Sequence, residues 1–315
     1  MKILDVVKKV VLFIPSIIKY QRESKRLSKV DFFDYEELLK GEYVTPMFFN
    51  SVFIYGNYKA IENLTHRKFN FIFDYLEHGI NYSDKTISVH WMGYADRFCI
   101  KNIFVFSEER AKFVKYYIQT KNLKRNIIAV GPYILGAEPF YTEEKRTELK
   151  NKYGKILLVY PAHSIDIVTA NYDIQQLLAE IDRHKDSFDS VFICLHWLDM
   201  NNESRRKQYE ESGHILVCNG KPSDPMFLSR QRDLMELSDM VMTNALGTHV
   251  GYAVCLNRPV YFFNQEITLK GDTTLQTEKT ISIENQFKKA FGKFSFTITQ
   301  EQLDLVYPIW GRWDR

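Results

Sequence analysis

Glycine and proline are scarce in this chain, 14 and 9 among 315 residues, which excludes fibrous and low-complexity classes. No run of about 18 uncharged apolar residues occurs, so no transmembrane helix is expected. Neither sign of charge dominates. Basic and acidic residues number 42 and 39, for a net charge of +3, which is too balanced for a dedicated nucleic-acid binder. Cysteine is rare and dispersed: Cys99, Cys194, Cys218 and Cys255 form no CxxC pair. They read as reduced core thiols of a cytosolic protein, not as a zinc site or a disulfide framework. The GxxxxGK[ST] loop, the GxSxG elbow, the HExxH helix and the kinase signatures are all missing, and no carboxylate cluster argues for a metal.

What is present is ample core material. Apolar residues make up 45% and aromatics 15%. A chain of this length suits two α/β halves of about 150 residues each.

The N-terminus is amphipathic and basic. Ile3, Val6, Val7, Val10, Val11, Ile14, Ile17 and Ile18 recur at helical spacing with lysines between them, and Pro15 kinks or ends the helix. Asp5, Lys8 and Lys9 interrupt the apolar stretch, and a basic run from Lys19 to Lys29 stands where a signal peptide would be cleaved. Such a helix can lie in the headgroup region of an anionic leaflet. The expected location is cytoplasmic, peripheral at the inner membrane.

From residue 45 onward, short apolar runs alternate with longer amphipathic ones. Strands are expected within 70–79, 101–106 and 125–134, with a Ser-capped helix following residue 107. The charged stretch 143–155 reads as an inter-domain segment. The second half predicts strands at 155–164, 190–199, 214–220, 239–244 and 259–264. Helices at 172–185, 202–212, 224–238 and 247–257 separate or follow them, and 299–313 reads as a helix with an aromatic tail. This alternation implies parallel sheets with helices on both faces, in two Rossmann-like domains facing each other across a cleft. The expected division is an N-terminal helix (1–30), an acceptor-binding domain (31–140), a nucleotide-sugar-binding domain (141–298) and a tail packing back on the first domain (299–315).

In such sheets ligands bind at the carboxyl ends of strands, so polar residues there are candidates. Glu77 or His78, before Gly79, could serve as a general base. His163 and Ser164 end the most apolar strand, KILLVY, and could donate to phosphate or ribose. Thr243, Asn244, Gly247, Thr248 and His249 form a strand–turn–helix whose helix start suits an anion. Two loops, one with His196, Trp197 and Asp199 and one with Asn219, Gly220, Lys221 and Asp224, read as solvated.

The stretch LSRQRDLMELSDMVMTNALGTHVGYAVCLNRPVYFF (228–263) resembles the donor-binding half of GT-B-type glycosyltransferases that build bacterial surface polysaccharides such as lipopolysaccharide O-antigen and capsule. A narrower resemblance is to bacterial sialyltransferases and Kdo-type transferases. Those carry an acidic-acidic-Gly motif in the first half, and a His-Pro motif with a Ser/Thr pair in the second. Here the middle acid is His78, the His-Pro order becomes Pro161-Ala162-His163, and the turn lacks an adjacent Ser/Thr pair. The resemblance implies metal-independent, inverting chemistry without a cofactor, in which a nucleotide-sugar donor such as a CMP-nonulosonate or CMP-Kdo glycosylates a hydroxyl. Glu77 would match the acidic base, His163 the donor-phosphate histidine and Thr243–His249 the phosphate turn. The implied acceptor is a lipid-linked or lipid A-linked glycan at the inner leaflet, contacted by Trp91, Tyr94, Asp96 and Arg97. Competing expectations are a CDP-polyol phosphotransferase of teichoic-acid type, a nucleotide-sugar epimerase and a non-catalytic glycan-binding protein.

Overall fold

The computed structural model describes residues 15, 17–41, 54–71, 73–77, 79, 100–165, 168–271 and 278–313. Residues 17–27 are helical (α1) and are followed by α2 (Tyr35–Leu39) and α3 (Asn57–Thr65). The first parallel sheet has strands β1 (Asp74–Leu76), β2 (Asn102–Val105) and β3 (Asn126–Ala129), in that spatial order. Helix α4 (Glu108–Thr120) connects β2 to β3. Ser107 caps it as expected, accepting from Arg110 N at 3.1 Å.

Helix α5 (Glu143–Tyr153) leads into the second unit, whose strands are β4 (Ile156–Tyr160), β6 (Ser190–Cys194), β7 (Ile215–Val217), β8 (Met240–Thr243) and β9 (Val260–Phe262). They pair in parallel in the order β7-β6-β4-β8-β9. Numbered by appearance this is the 3-2-1-4-5 order of a doubly wound sheet, with its switch point between β4 and β8. Burial on both faces explains why β4 is apolar without alternation. Ile156, Leu158 and Tyr160 join one core with Phe192 and Val241, while Leu157 and Val159 join another with Ile193 and Met242. Helices α6 (Ile174–His184), α7 (Trp197–Asn201), α8 (Glu203–Glu210), α9 (Phe227–Leu237) and α10 (Thr248–Cys255) connect the strands. Ile174, Leu177, Leu178 and Ile181 bury one stripe of α6, which starts at the Asp173 cap. Two helices close the chain, α11 (Glu278–Phe291) and α12 (Gln300–Trp310).

The α/β architecture of two parallel-sheet, Rossmann-like units facing each other across a cleft is therefore present. Other expectations need correction. Stretch 143–155, between the two sheets as expected, is not irregular but mostly a capped helix, in which Thr142 accepts from Lys145 N and Arg146 pairs with Glu236 of α9. Strand β5 (Val168–Asn171) pairs antiparallel with β10 (Thr268–Gly271), a small sheet that local pattern did not reveal. Residues 31–40, assigned to the first unit, pack on the second. Cys218 N donates to the Phe32 carbonyl at 3.0 Å, and the Phe33 ring meets Phe192 edge-on at 5.5 Å.

Arg230 of α9 organises that junction. It is fully buried, pairs with Asp224 at 2.6 Å, and donates to the carbonyls of Asn219, Val30 and Leu27. Tyr20 and Leu27 of α1 are buried, whereas Ile18 is exposed. Residues 1–14, which carry most of the amphipathic pattern, lie outside the described residues. No helix among the described residues is long and apolar enough to cross a membrane. Cys194, Cys218 and Cys255 are free and buried, and Cys99 lies outside the described residues.

Helix α12 bridges the units. Ser107 Oγ donates to the Pro308 carbonyl at 2.7 Å on one side, and Trp310 Nε1 donates to the Thr248 carbonyl at 3.2 Å on the other.

Candidate functional site

A cavity of about 280 Å³ opens where the strand ends of the second unit meet the first. Tyr55, Asn57, Gly79 and Phe106 line it from the first unit. From the second come Tyr160, His163, His196, Asn219, Gly220, Gln231, Gly247, Thr248, His249 and Tyr252, which follow or face the ends of β4, β6, β7 and β8. Tyr55 holds a positive φ of 60° while its N–H donates to the Pro222 carbonyl at 2.6 Å, so the first unit's turn is fastened to the second at the cavity's edge. Its ring lies 4.3 Å from that of Phe227.

The β8–α10 turn shows why this sequence makes a binding surface. Thr243 donates through Oγ1 to the Tyr160 carbonyl at 2.8 Å, and Asn244 Oδ1 accepts from Ala162 N at 2.6 Å. These bonds stitch the β8 end to the β4 loop. Both side chains are fully buried and spent on the protein, so they hold the site's walls and leave ligand contact to their neighbours. Gly247 is the N-cap of α10 and offers no side chain to satisfy the helix's first N–H groups. A Cβ there would come within 2.8 Å of the His249 ring, which folds back over the turn. That terminus faces the cavity with the positive end of the helix dipole.

The imidazoles are held neutral. Burial pushes the His249 pKa down to about 3, with the nearby His163 adding to the effect. Burial also holds His196 well below the ordinary histidine range, again with help from His163. The His163 and His196 rings stack at 4.5 Å. His163 stands at the rim with its ring exposed to the cleft, yet surrounded by protein mass. Burial lowers its pKa, and the Asp199 carboxylate opposes the shift. His249 Nε2 lies 3.0 Å from Thr243 Oγ1. That contact ties the His249 ring to the turn at the cavity wall.

Ser164 likewise supports the loop. Its N–H donates to Asp199 Oδ2 at 3.0 Å and its Oγ accepts from Ala170 N at 3.3 Å. Asp199 is buried and paired with Arg205 at 2.6 Å, so one ion pair fixes the segment that carries His163. Asn219, Lys221 and Asp224 are buried too, which corrects the reading of solvated loops. Glu77 ends just past β1, where its carboxylate pairs with Arg110 of α4 and does not line the cavity. Burial raises its pKa and Arg110 opposes that shift. His78, Trp91, Tyr94, Asp96 and Arg97 lie outside the described residues.

The structure thus brings His163, Gly247, Thr248 and His249 together around one cavity. Tyr160, Gln231, Tyr55 and Asn57 were missed. Tyr160 had a usable signal, a polar aromatic closing the most apolar strand. Gln231 had none, since its helix reads as charged and exposed. No Lys, Arg, Asp or Glu lines the cavity among the described residues, and no three His, Cys, Asp or Glu side chains gather there as a metal-binding group.

No family model and no curated protein matches the chain. Among solved structures it is similar to Staphylococcus aureus MnaA with UDP, at 13% identity and a TM-score of 0.41 over 62% of this chain and 52% of that one. It is also similar to the Neisseria meningitidis UDP-GlcNAc 2-epimerase bound to UDP-GlcNAc, at 17% identity and 0.39 over 67% and 56%. A Rickettsia africae glycosyltransferase matches at 15% and 0.32 over 61% and 51%. The chain spans about half the length of these structures. Likeness of this degree reaches neither activity nor substrate.

Proposed function

We propose that the chain is a GT-B-type glycosyltransferase that binds a nucleotide-sugar donor in this cavity and passes the sugar to a glycan hydroxyl. The observation that carries the reading is the uncapped start of α10 at Gly247–Thr248, facing a cleft at the sheet's switch point with His163 beside it.

In the proposed reaction the acceptor oxygen forms a bond to the anomeric carbon while the bond from that carbon to the donor phosphate breaks. The electron pair leaves with the phosphate, whose new charge meets the N–H groups and dipole of α10. Fixed donors of this kind lower barriers without a metal, and losing one typically costs about 2.7–4 kcal/mol. The hydroxyl proton goes to His78, beside Gly79 of the cavity lining, because the Glu77 carboxylate is turned to Arg110 and away from the cavity. Inversion at the anomeric carbon follows from a single displacement. The basic N-terminal segment would hold the protein at an anionic membrane surface, beside a lipid-linked acceptor of the surface-glycan kind.

Thermal stabilisation by CMP, CDP, UDP and GDP tests the reading, since a native-state ligand stabilises by about 2.7 kcal/mol at a hundredfold excess over Kd. Thr248→Pro is the decisive variant. Proline is accepted at the first helical position and follows an extended Gly247 (φ −153°), so the fold should stand while one anion-facing N–H disappears. Nucleotide Kd should rise about fivefold, the worth of one hydrogen bond near 1 kcal/mol. Wild-type protein indifferent to every nucleotide overturns the proposal, and so does a Thr248→Pro variant that folds and binds as the wild type does.

A further inference from the structure

Strand β3 is an edge of the first sheet: among the described residues it pairs with β2 and with nothing on its other side. The N–H groups of Asn126 and Val130 donate to the carbonyls of Lys101 and Val105, so every second residue of the strand faces β2. The N–H and C=O groups of Ile127 and Ala129 therefore point away from it. Native edges are commonly blunted by charge, proline or a covering element, yet Asn126–Ala129 holds neither a charged residue nor a proline. The strand also joins two grooves of opposite sign. At its start a cavity of about 530 Å³ is lined by Lys101, Lys115, Lys124 and Arg125, and by no acid among the described residues. At its end a cavity of about 790 Å³ is lined by Glu108, Glu109 and Asp304, against Arg312. The dipole of α4 accounts for Glu108 and Glu109 in its first turn, but Lys101, Lys124, Arg125 and Asp304 lie off that helix.

We propose that the β3 edge is a homodimer interface, at which a second copy of this chain lies antiparallel about a two-fold axis through Ile128. Ile127 then faces the partner's Ala129, and Ala129 the partner's Ile127. Each pair exchanges two N–H···O bonds, four in all, as hydrogen-bonded antiparallel pairs do. The same rotation sets the basic groove of each copy against the acidic groove of the other, because the four residues of β3 span only about 13 Å between them. A patch that carries both signs about a central axis is self-complementary, which is what an isologous interface needs. No β3 residue lines the ligand cavity, so the inference stands or falls apart from the proposed function.

Sedimentation equilibrium of the full chain, up to about 200 μM, is the test. Wild-type protein should dimerise, with a Kd that rises in about 1 M salt, where charge attraction is screened within about 3 Å. Ala129→Pro removes an N–H that β2 does not use, and symmetry removes it twice. Dimer Kd should therefore rise about thirtyfold while the circular dichroism spectrum stays that of the wild type. Two charge reversals off the strand keep the test open should Ala129→Pro misfold. Lys124→Glu, and Glu108→Lys at the acid that is not the partner of Lys112, should each weaken the dimer about tenfold. The double variant, and an equimolar mixture of the two single variants, restore opposite charges at both ends and should regain the dimer. A merely structural loss would not be regained. Wild-type protein that is monomeric throughout overturns the proposal, as does a dimer indifferent to Ala129→Pro and Lys124→Glu. Losses that add in the double variant overturn it too. Monomeric protein that binds phosphatidylglycerol vesicles through Lys124 also overturns it, and gives the basic groove to a lipid surface.

Discussion

The two units end their strands in opposite ways. In the first, β1 runs into a charged residue, and that charge is spoken for: Glu77 pairs with Arg110, and its carbonyl accepts from the Tyr133 hydroxyl at 3.2 Å. In the second, β4, β6 and β7 run into neutral groups: the Tyr160 hydroxyl bonds within the wall, and His196 Nδ1 and Asn219 Oδ1 have no partner. The contrast separates holding from binding. A satisfied ion pair stiffens a strand end, whereas an unsatisfied polar atom at a cavity surface is an opening for something else. On the proposed reading the second unit is the recognition half, although the first carries the more conspicuous charge.

The largest expected effect tests whether charge in the second unit is purely structural. Arg230→Met strands Asp224 and releases the carbonyls of Leu27 and Val30, and should cost about 3–5 kcal/mol in urea unfolding. A loss under about 1 kcal/mol, the worth of a single ordinary hydrogen bond, would mean that residues 17–40 are not fastened as described.

Next comes acid. The His249 pKa is about 3 in the fold, below its ordinary value of 6.5. As pH falls below 6.5 the unfolded chain takes the proton first, so stability should decline from pH 6.5 to about 3 and level off below. Every tenfold difference in proton affinity between the folded and unfolded chain is worth about 1.4 kcal/mol. Urea midpoints at pH 7, 5 and 4 for wild type and His249→Gln should converge as pH drops. Parallel curves would show that the imidazole is not buried neutral.

The smallest effect is the sharpest comparison. Tyr133→Phe in the first unit removes a bonded hydroxyl and should cost about 1 kcal/mol. Tyr160→Phe in the second removes a hydroxyl that meets the neutral side chains of Asn219, Gln231 and Cys194 at a cavity wall, and should cost no more than Tyr133→Phe in urea unfolding. A larger loss at Tyr160 would make its strand end the more tightly held of the two.

Much of the scaffold was legible because its causes are local. The unbroken ILLVY of β4 announces a strand buried on both faces, and the small residues after Thr243 announce a turn into a helix. The candidate site was legible in position but not in direction. Thr243, Asn244 and Ser164 sit where sheets bind ligands, yet their polar atoms turn inward to Tyr160, Ala162 and Asp199. Sequence cannot choose between those orientations, because the competing partners come from other strands. Ser229, Arg230, Gln231 and Asp233 mislead for the same reason. They resemble a solvated helix face yet are buried, and their partners are distant along the chain: Arg230 answers carbonyls at Leu27 and Val30, and Asp233 accepts from Tyr141 N.

Trp310 occupies the place where a Cβ on Gly251 would stand, 2.2 Å from that position, and its N–H holds the carbonyl of Thr248. The start of α10 is therefore propped from behind by a residue 62 positions later in the chain. A nascent chain can complete the strands of the second sheet with this helix unsupported, its glycine face open to water. The cavity wall at α10 then becomes a property of chains that already carry α12, and removing this indole should leave a folded sheet whose α10 turn is no longer held in place.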